Sequence, residues 1–183
     1  VQTCALPICI GTTAIQLATA RGAHVIATAG SDEKCRACEQ LGAEAAINYK
    51  TEDFVERVKT ITGGRGVDVI LDIVGGSYTA KNIMSLARDG RLVQIGMMGG
   101  ATADIPLGPI ILKRLTLTGS TLRIRTPNET GAIAAALERD VWPLIASGRI
   151  RPIIDRTFPL TQAAEAHRAL EGGGVIGKVV LTT

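Results

Sequence analysis

The sequence predicts an α/β fold in which a doubly wound parallel sheet is covered by helices on both faces. Three observations carry this expectation. Runs such as Val67-Asp68-Val69-Ile70-Leu71-Asp72-Ile73-Val74 have the β-branched, apolar character of strands buried on both faces. Amphipathic stretches that open on helix-capping residues alternate with those runs as far as Ser120. Glycine-rich turns, including Gly63-Gly64, Gly75-Gly76 and Gly99-Gly100, separate the units.

Taken in order, the apolar spacing of Ile15, Leu17 and Ala18, closed by Arg21-Gly22, predicts a helix with a glycine stop. A strand follows over 23–29. Ser31 is placed to cap a helix over 32–41, with Asp32 and Glu33 in the first turn, where the helix dipole favours acids. A short strand over 45–48 leads through Tyr49 into a helix over 54–61. Next come a strand over 67–74, a helix over 79–87, a turn at Arg88-Asp89-Gly90 and a strand over 91–95. A short helix over 109–114 and a strand over 115–120 end this series.

From Arg123 the texture changes. A long helix over 129–147 contains Pro143, which should bend or divide it because proline lacks the donor that an interior turn needs. Residues 151–159 read as a strand, 161–170 as a helix and 178–181 as a closing strand. The expected organisation is a nucleotide-binding unit over 10–122 and a second segment over 123–183.

Residues 1–9 resemble the translation of a short-read sequencing adapter and are set apart. Pro7 would interrupt a central strand, and no glycine precedes Gly11. The expectation is therefore a sheet lacking its first strand. Each buried backbone group left unpaired by such a loss costs about 1 to 3 kcal/mol, so the chain by itself is expected to be unstable.

With 46% apolar residues there is ample material for a core. A net charge of +3, with both signs interspersed, and an aromatic share of 3% leave neither a basic stripe nor a stacking platform for nucleic acid. Charges break every apolar run too early for a bilayer span, and a cytoplasmic address is the default expectation. Cys4 and Cys9 fall in the leader. Cys35 and Cys38 share one face of a predicted helix, which favours a structural pair of reduced thiols over zinc or redox chemistry. His24 and His167 read as surface or packing residues, and Asp68 and Asp72, which share one side-chain direction on a strand and could be weighed as metal ligands, bring no partner metal motif.

The chemistry lies in the turns. Ile10-Gly11 opening a helix is what remains of a dinucleotide fingerprint, in which glycine lets the backbone approach a pyrophosphate at a helix N-terminus. Such a site reads the adenosine ribose at the end of the second strand, where an acid selects NAD. This chain has Gly30-Ser31 there. Ser31 can donate to a 2′-phosphate and Lys34 adds a point charge, so NADP is preferred. A helix cap and a solvated lysine account for the same two residues equally well, and the residues alone leave both readings open.

Together, Ile10-Gly11-Thr12-Thr13-Ala14-Ile15-Gln16-Leu17, Leu41-Gly42-Ala43, Ile47-Asn48-Tyr49, Ile61-Thr62-Gly63-Gly64-Arg65-Gly66-Val67-Asp68, Gly90-Arg91-Leu92-Val93 and Ile176-Gly177-Lys178-Val179-Val180-Leu181 resemble the C-terminal part of the NAD(P)H quinone oxidoreductases. These form the zeta-crystallin-like branch of the medium-chain dehydrogenase/reductases. The resemblance implies a Rossmann-type domain plus the C-terminal remnant of a GroES-like catalytic domain. It implies that Ile10 and Gly11 lie by the pyrophosphate, and that Gly30, Ser31, Lys34 and Tyr49 surround the phosphorylated ribose. It also implies that Val74, Gly96, Met97 and Met98 follow the adenine side and centre of the cofactor, that Leu122 and Arg123 stand near the nicotinamide, and that Lys178 approaches from the closing strand.

The implied activity is NADPH-dependent reduction of quinones or related conjugated carbonyls without a metal, in a homodimer. A zinc-type alcohol dehydrogenase or enone reductase of the same superfamily is the alternative enzyme. A non-catalytic NADPH-binding protein is the alternative of another class.

Overall fold

The computed structural model describes residues 2–4 and 9–183. Strand β1 (Gln2–Cys4) leads to α1 (Cys9–Ala20), β2 (Ile26–Ala29), α2 (Asp32–Gln40), β3 (Ala45–Asn48), α3 (Phe54–Ile61) and β4 (Val67–Asp72). Then follow α4 (Tyr78–Ser85), β5 (Leu86–Gln94), α5 (Leu107–Lys113) and β6 (Thr116–Gly119). The remainder holds α6 (Pro127–Asp140), α7 (Trp142–Ala146), β7 (Ile154–Pro159), α8 (Ala163–Glu171) and β8 (Lys178–Thr182).

Strands β1 to β6 form one parallel sheet in the order β3-β2-β1-β4-β5-β6. The predicted winding on both faces is visible in β2. Ile26 joins a cluster with Phe54, Val58, Ile70, Ile83, Leu86 and Leu92 under α3 and α4. Its neighbour Ala27 joins Ile15, Val25, Cys38 and Ala43 under α1 and α2. Successive side chains of a strand point to opposite faces, so a strand serving two clusters has helices on both sides.

The expectation of a sheet without its first strand is corrected. Gln2–Cys4 occupies the central position, pairing Gln2 with Ile26 on one side and with Ile70 on the other. A parallel ladder uses backbone groups that every residue here possesses, and Pro7 comes after the paired residues, so it removes no donor from them. The strands β2 and β4 thus keep ladder partners that the sequence reading had taken away.

Elsewhere the differences are local. Strand β2 begins at Ile26 rather than at 23. The expected turn at Arg88–Gly90 is an outward bulge within β5: Leu86 pairs with Val67, Arg91 pairs with Val69, and Asp89 takes a φ of 60°. Pro143 divides the long helix as expected, because α6 stops at Asp140 and α7 restarts with the proline in its first turn.

The C-terminal segment makes its own two-stranded parallel sheet from β7 and β8. Buried Gln16 ties it to α1, donating to the Arg151 carbonyl at 3.0 Å and accepting from the Arg151 amide at 3.0 Å. Among the described residues, no helix is long and apolar enough to cross a membrane.

Cys35 and Cys38 are buried on the inner face of α2. Burial, then the neighbouring Cys35 and Glu39, push the Cys38 thiol from 9.0 up to about 12. Unfolding returns it to its ordinary range, so between these values the unfolded chain gives up the proton first and stability falls as pH rises. Denaturant titrations across this window should show the decline, and Cys38→Ala should flatten it. In the native chain at about pH 8, a thiol reagent should label Cys38 only on unfolding.

Candidate functional site

In a doubly wound sheet a ligand crevice opens outside the carboxyl ends of the strands at the point where the strand order reverses, here between β1 and β4. The predicted residues follow that edge in sheet order: Tyr49 after β3, Gly30 and Ser31 after β2, and Ile10 and Gly11 in the first turn of the helix after β1. Val74 then follows β4, Gly96, Met97 and Met98 follow β5, and Leu122 and Arg123 follow β6. Residues scattered over the chain thus lie along one side of the sheet.

At the β2–β3 end, Ser31 is extended and caps α2, its hydroxyl accepting from the Lys34 amide at 3.3 Å. The proton of that hydroxyl is left for another acceptor. Tyr49 is fixed by its amide, which donates to the Ala29 carbonyl at 3.0 Å, and by an edge-on contact with Tyr78. Its phenol lies over Gly30, where a Cβ would meet the Tyr49 oxygen at 2.6 Å, so only glycine leaves the phenol in place. Asn48 donates to the Asp32 carboxylate at 2.7 Å and joins the end of β3 to the start of α2. A cleft of about 410 Å³ opens here, lined by Gly30, Ser31, Glu33, Lys34, Tyr49, Lys50 and the turn Gly172-Gly173-Gly174. Two ammonium groups beside one carboxylate suit an anionic guest.

Lys34 has a partner that sequence reasoning did not foresee. Its ammonium donates to the Gly173 carbonyl at 2.6 Å.

At the β4–β5 end, buried Asp72 was weighed only as a metal ligand, and it proves to be an anchor. Its carboxylate accepts from the Val74 amide at 2.6 Å, the Gly75 amide at 3.2 Å and the Asn82 side chain at 3.0 Å. Gln94 adds a second tie, donating to the Asp72 carbonyl at 3.2 Å and to the Gly96 carbonyl at 2.6 Å. The two loops are then zipped together by the Gly99 amide on the Val74 carbonyl at 2.7 Å. An aspartate ending a strand just before a glycine turn is a recognisable Asx-turn signal, and it could have revealed this role.

Met97 and Met98 are 63% and 70% exposed, so they present apolar surface rather than core packing. A second cleft of about 580 Å³ lies between the ends of β5 and β6, lined by Gly96, Met97, Gly119, Thr121, Arg125 and Glu129 among others. Leu122 and Arg123 are exposed on the loop beside it. That loop is tied by Arg125, which donates to Ser120 at 2.9 Å and lies 3.7 Å from Glu129. Glu129 in turn completes the capping box with Thr126. At the start of α1, Gly11 is buried and Ile10 is 47% exposed. Lys178 reaches the same turn, its ammonium 2.7 Å from the Cys9 sulfur.

A family model described as zinc-binding dehydrogenase matches residues 9–138. The chain belongs to the zinc-binding dehydrogenase family. Quinone oxidoreductase-like protein 2 of Bos taurus is 35% identical over 164 residues, covering 87% of this chain and 46% of its own length. The crystal structure of Escherichia coli quinone oxidoreductase complexed with NADPH superposes with a TM-score of 0.82 at 34% identity, covering all of this chain and 56% of that one. A crystal structure of an NAD-dependent alcohol dehydrogenase superposes with a TM-score of 0.80 at 32% identity, covering all of this chain and 50% of that one. The chain spans about half the length of the curated relatives it matches.

These similarities agree with the resemblance to quinone oxidoreductases drawn from the motifs. As a member of the zinc-binding dehydrogenase family the chain raises the question of a metal. Among the described residues, no three His, Cys, Asp or Glu side chains gather as a ligand set. Cys35 and Cys38 face the core. The described residues do not fit a zinc centre.

Proposed function

We propose that this chain is the NADPH-binding half of an oxidoreductase that reduces quinones or related conjugated carbonyl compounds. One observation carries the reading: the turn that closes β2 holds Gly30-Ser31 where an acid would select NAD, and the cleft beside it sets the Ser31 hydroxyl, the Tyr49 phenol and the Lys34 and Lys50 ammonium groups against the single carboxylate of Glu33. The similarity to an NADPH-complexed quinone oxidoreductase supports it.

In this reading Ser31, Lys34 and Tyr49 bind the 2′-phosphate, with Gly30 leaving room for the phenol. Ile10 and Gly11 bring the first turn of α1 to the pyrophosphate, where its amides and dipole favour the anion. Asp72 and Gln94 hold the Val74 and Gly96 loops along the middle of the cofactor. Met97 and Met98 lay apolar surface along the adenine side and centre of the cofactor, Leu122 and Arg123 flank the nicotinamide, and Lys178 closes over the start of α1. The bound cofactor supplies the hydride. The task of these residues is to hold its reactive ring against an acceptor in a dry cleft.

Residues 10–122 form the cofactor domain in this proposal, and 123–183 return to a catalytic domain. The whole protein pairs into a homodimer through the exposed edge strand β6, whose four residues all face solvent.

Titration of this chain with each reduced coenzyme, followed by nicotinamide fluorescence, tests the cofactor reading. NADPH is expected to bind roughly tenfold or more tightly than NADH, since a charge-assisted hydrogen bond contributes about 1.5 to 3 kcal/mol. Equal affinity refutes it. The acceptor class is tested on a longer chain carrying the upstream half found in the relatives: NADPH oxidation by a simple quinone supports the proposal, and activity on an alcohol alone moves the protein to the alcohol dehydrogenases.

A further inference from the structure

We propose that the turn Gly172-Gly173-Gly174 is a latch on the ribose end of the cleft, held by Lys34 through the Gly173 carbonyl and released when a 2′-phosphate takes that lysine. This rests on the reading that Ser31 and Lys34 receive the phosphate.

The contact is long-range. The Lys34 ammonium, on the first turn of α2, meets the Gly173 carbonyl at 2.6 Å across 139 residues of chain. The same three glycines line the cleft together with Gly30, Ser31 and Tyr49. What else holds the turn is sparse. The Gly172 and Gly173 amides donate back to the Arg168 and Leu170 carbonyls at 3.0 and 3.2 Å, as at any helix end. Among the described residues, a Cβ built on Gly173 or Gly174 would meet nothing within 4 Å, so no packing fixes the turn from its own surface.

Its two ends, by contrast, are anchored. Helix α8 closes at Glu171 on one side. On the other, Val175 is buried, and the Ile176 amide donates to the Asp155 carboxylate at 3.1 Å. Rearrangement is therefore confined to the glycines, which lose no side-chain contacts when they move and reach backbone conformations closed to other residues.

The competition favours the phosphate. A neutral carbonyl and a dianionic phosphate offer the same lysine very different acceptors, and the charge-assisted bond is the stronger. A ligand without the 2′-phosphate has nothing with which to displace Gly173. The turn thereby senses the one group that separates the two pyridine coenzymes.

The test is a nuclear magnetic resonance titration of this chain labelled with 15N-glycine, using 2′,5′-ADP and 5′-AMP as probes. The Gly173 and Gly174 amide signals are expected to move on saturation with 2′,5′-ADP and to stay in place with 5′-AMP. Lys34→Ala is expected to move the same signals without any ligand, and to weaken 2′,5′-ADP binding roughly tenfold while leaving 5′-AMP unchanged.

If 2′,5′-ADP binds more tightly than 5′-AMP and shifts Gly30 while Gly173 and Gly174 stay still, the latch is overturned and the phosphate site stands. A Lys34→Ala chain whose Gly173 signal keeps its wild-type position overturns the latch as well. If 2′,5′-ADP binds no more tightly than 5′-AMP, the phosphate reading fails and the latch falls with it.

Discussion

Ser31→Asp is expected to weaken NADPH binding by about 100-fold and to raise the affinity for NADH, reversing the preference proposed for the chain. Aspartate is as good an N-cap as serine, so α2 keeps its start and the substitution leaves the fold intact. The change falls on the guest. A hydroxyl that can donate to the 2′-phosphate is replaced by a carboxylate that cannot. Losing a charge-assisted hydrogen bond removes about 1.5 to 3 kcal/mol, and like-charge repulsion in a partly screened cleft adds about 1 kcal/mol more. An unphosphorylated ribose gains, because its 2′-hydroxyl can donate to the new acid. Fluorescence titrations with both coenzymes measure the reversal, and a thermal melt without ligand checks that the cap has survived. An unchanged preference in a chain that melts normally would show that Ser31 serves α2 alone.

Asp72→Ala should lower the free energy of unfolding by about 3 kcal/mol, a large part of the 5 to 15 kcal/mol typical of a domain. The buried carboxylate satisfies the Val74 and Gly75 amides and the Asn82 side chain, and alanine leaves those donors in the core without this acceptor. Each such donor carries its desolvation penalty into the folded state. Asp72→Asn is expected to recover part of the loss, since its carbonyl can still accept while its amide faces other donors. Urea denaturation reads both values. A loss below about 1 kcal/mol for Asp72→Ala would show that water or a shifted loop replaces the carboxylate, and that the Val74 turn holds without it.

How far the sequence could be read depended on where the decisive interactions lie. Helix α3 and strand β3 occupy the residues predicted for them. The Asp53 cap, whose side chain accepts from Val55 and Glu56, and the inward spacing of Phe54, Val55 and Val58 are all contained in one short window. The division at Pro143 was legible for the same reason. Strand β1 was not, because Gln2-Thr3-Cys4 has no apolar period of its own and is a strand only by virtue of the neighbours that pair with it. The bulge at Asp89 was read as a turn, since only the register against β4 distinguishes the two.

For the candidate site the division is similar. Gly30 and Ser31 could be named from the local motif that closes β2 at the edge where such folds bind ligands, whereas Tyr49 was named through the family resemblance. The anchoring role of Asp72 depends on Asn82 and on a loop from the next strand, and the partner of Lys34 lies near the far end of the chain.

The sequence by itself determined the alternation of strands and helices, the capping of α2 by Ser31, and the Gly30-Ser31 turn without an acid at the end of β2, since these follow from side-chain chemistry within a turn or two. Tertiary structure alone decided that β1 sits at the centre of the sheet, that Asp72 holds two loops, and that Lys34 reaches Gly173. Those outcomes rest on hydrogen bonds between segments far apart in the chain, and the strength of such a bond is set by distance in space, which no local pattern of residues encodes.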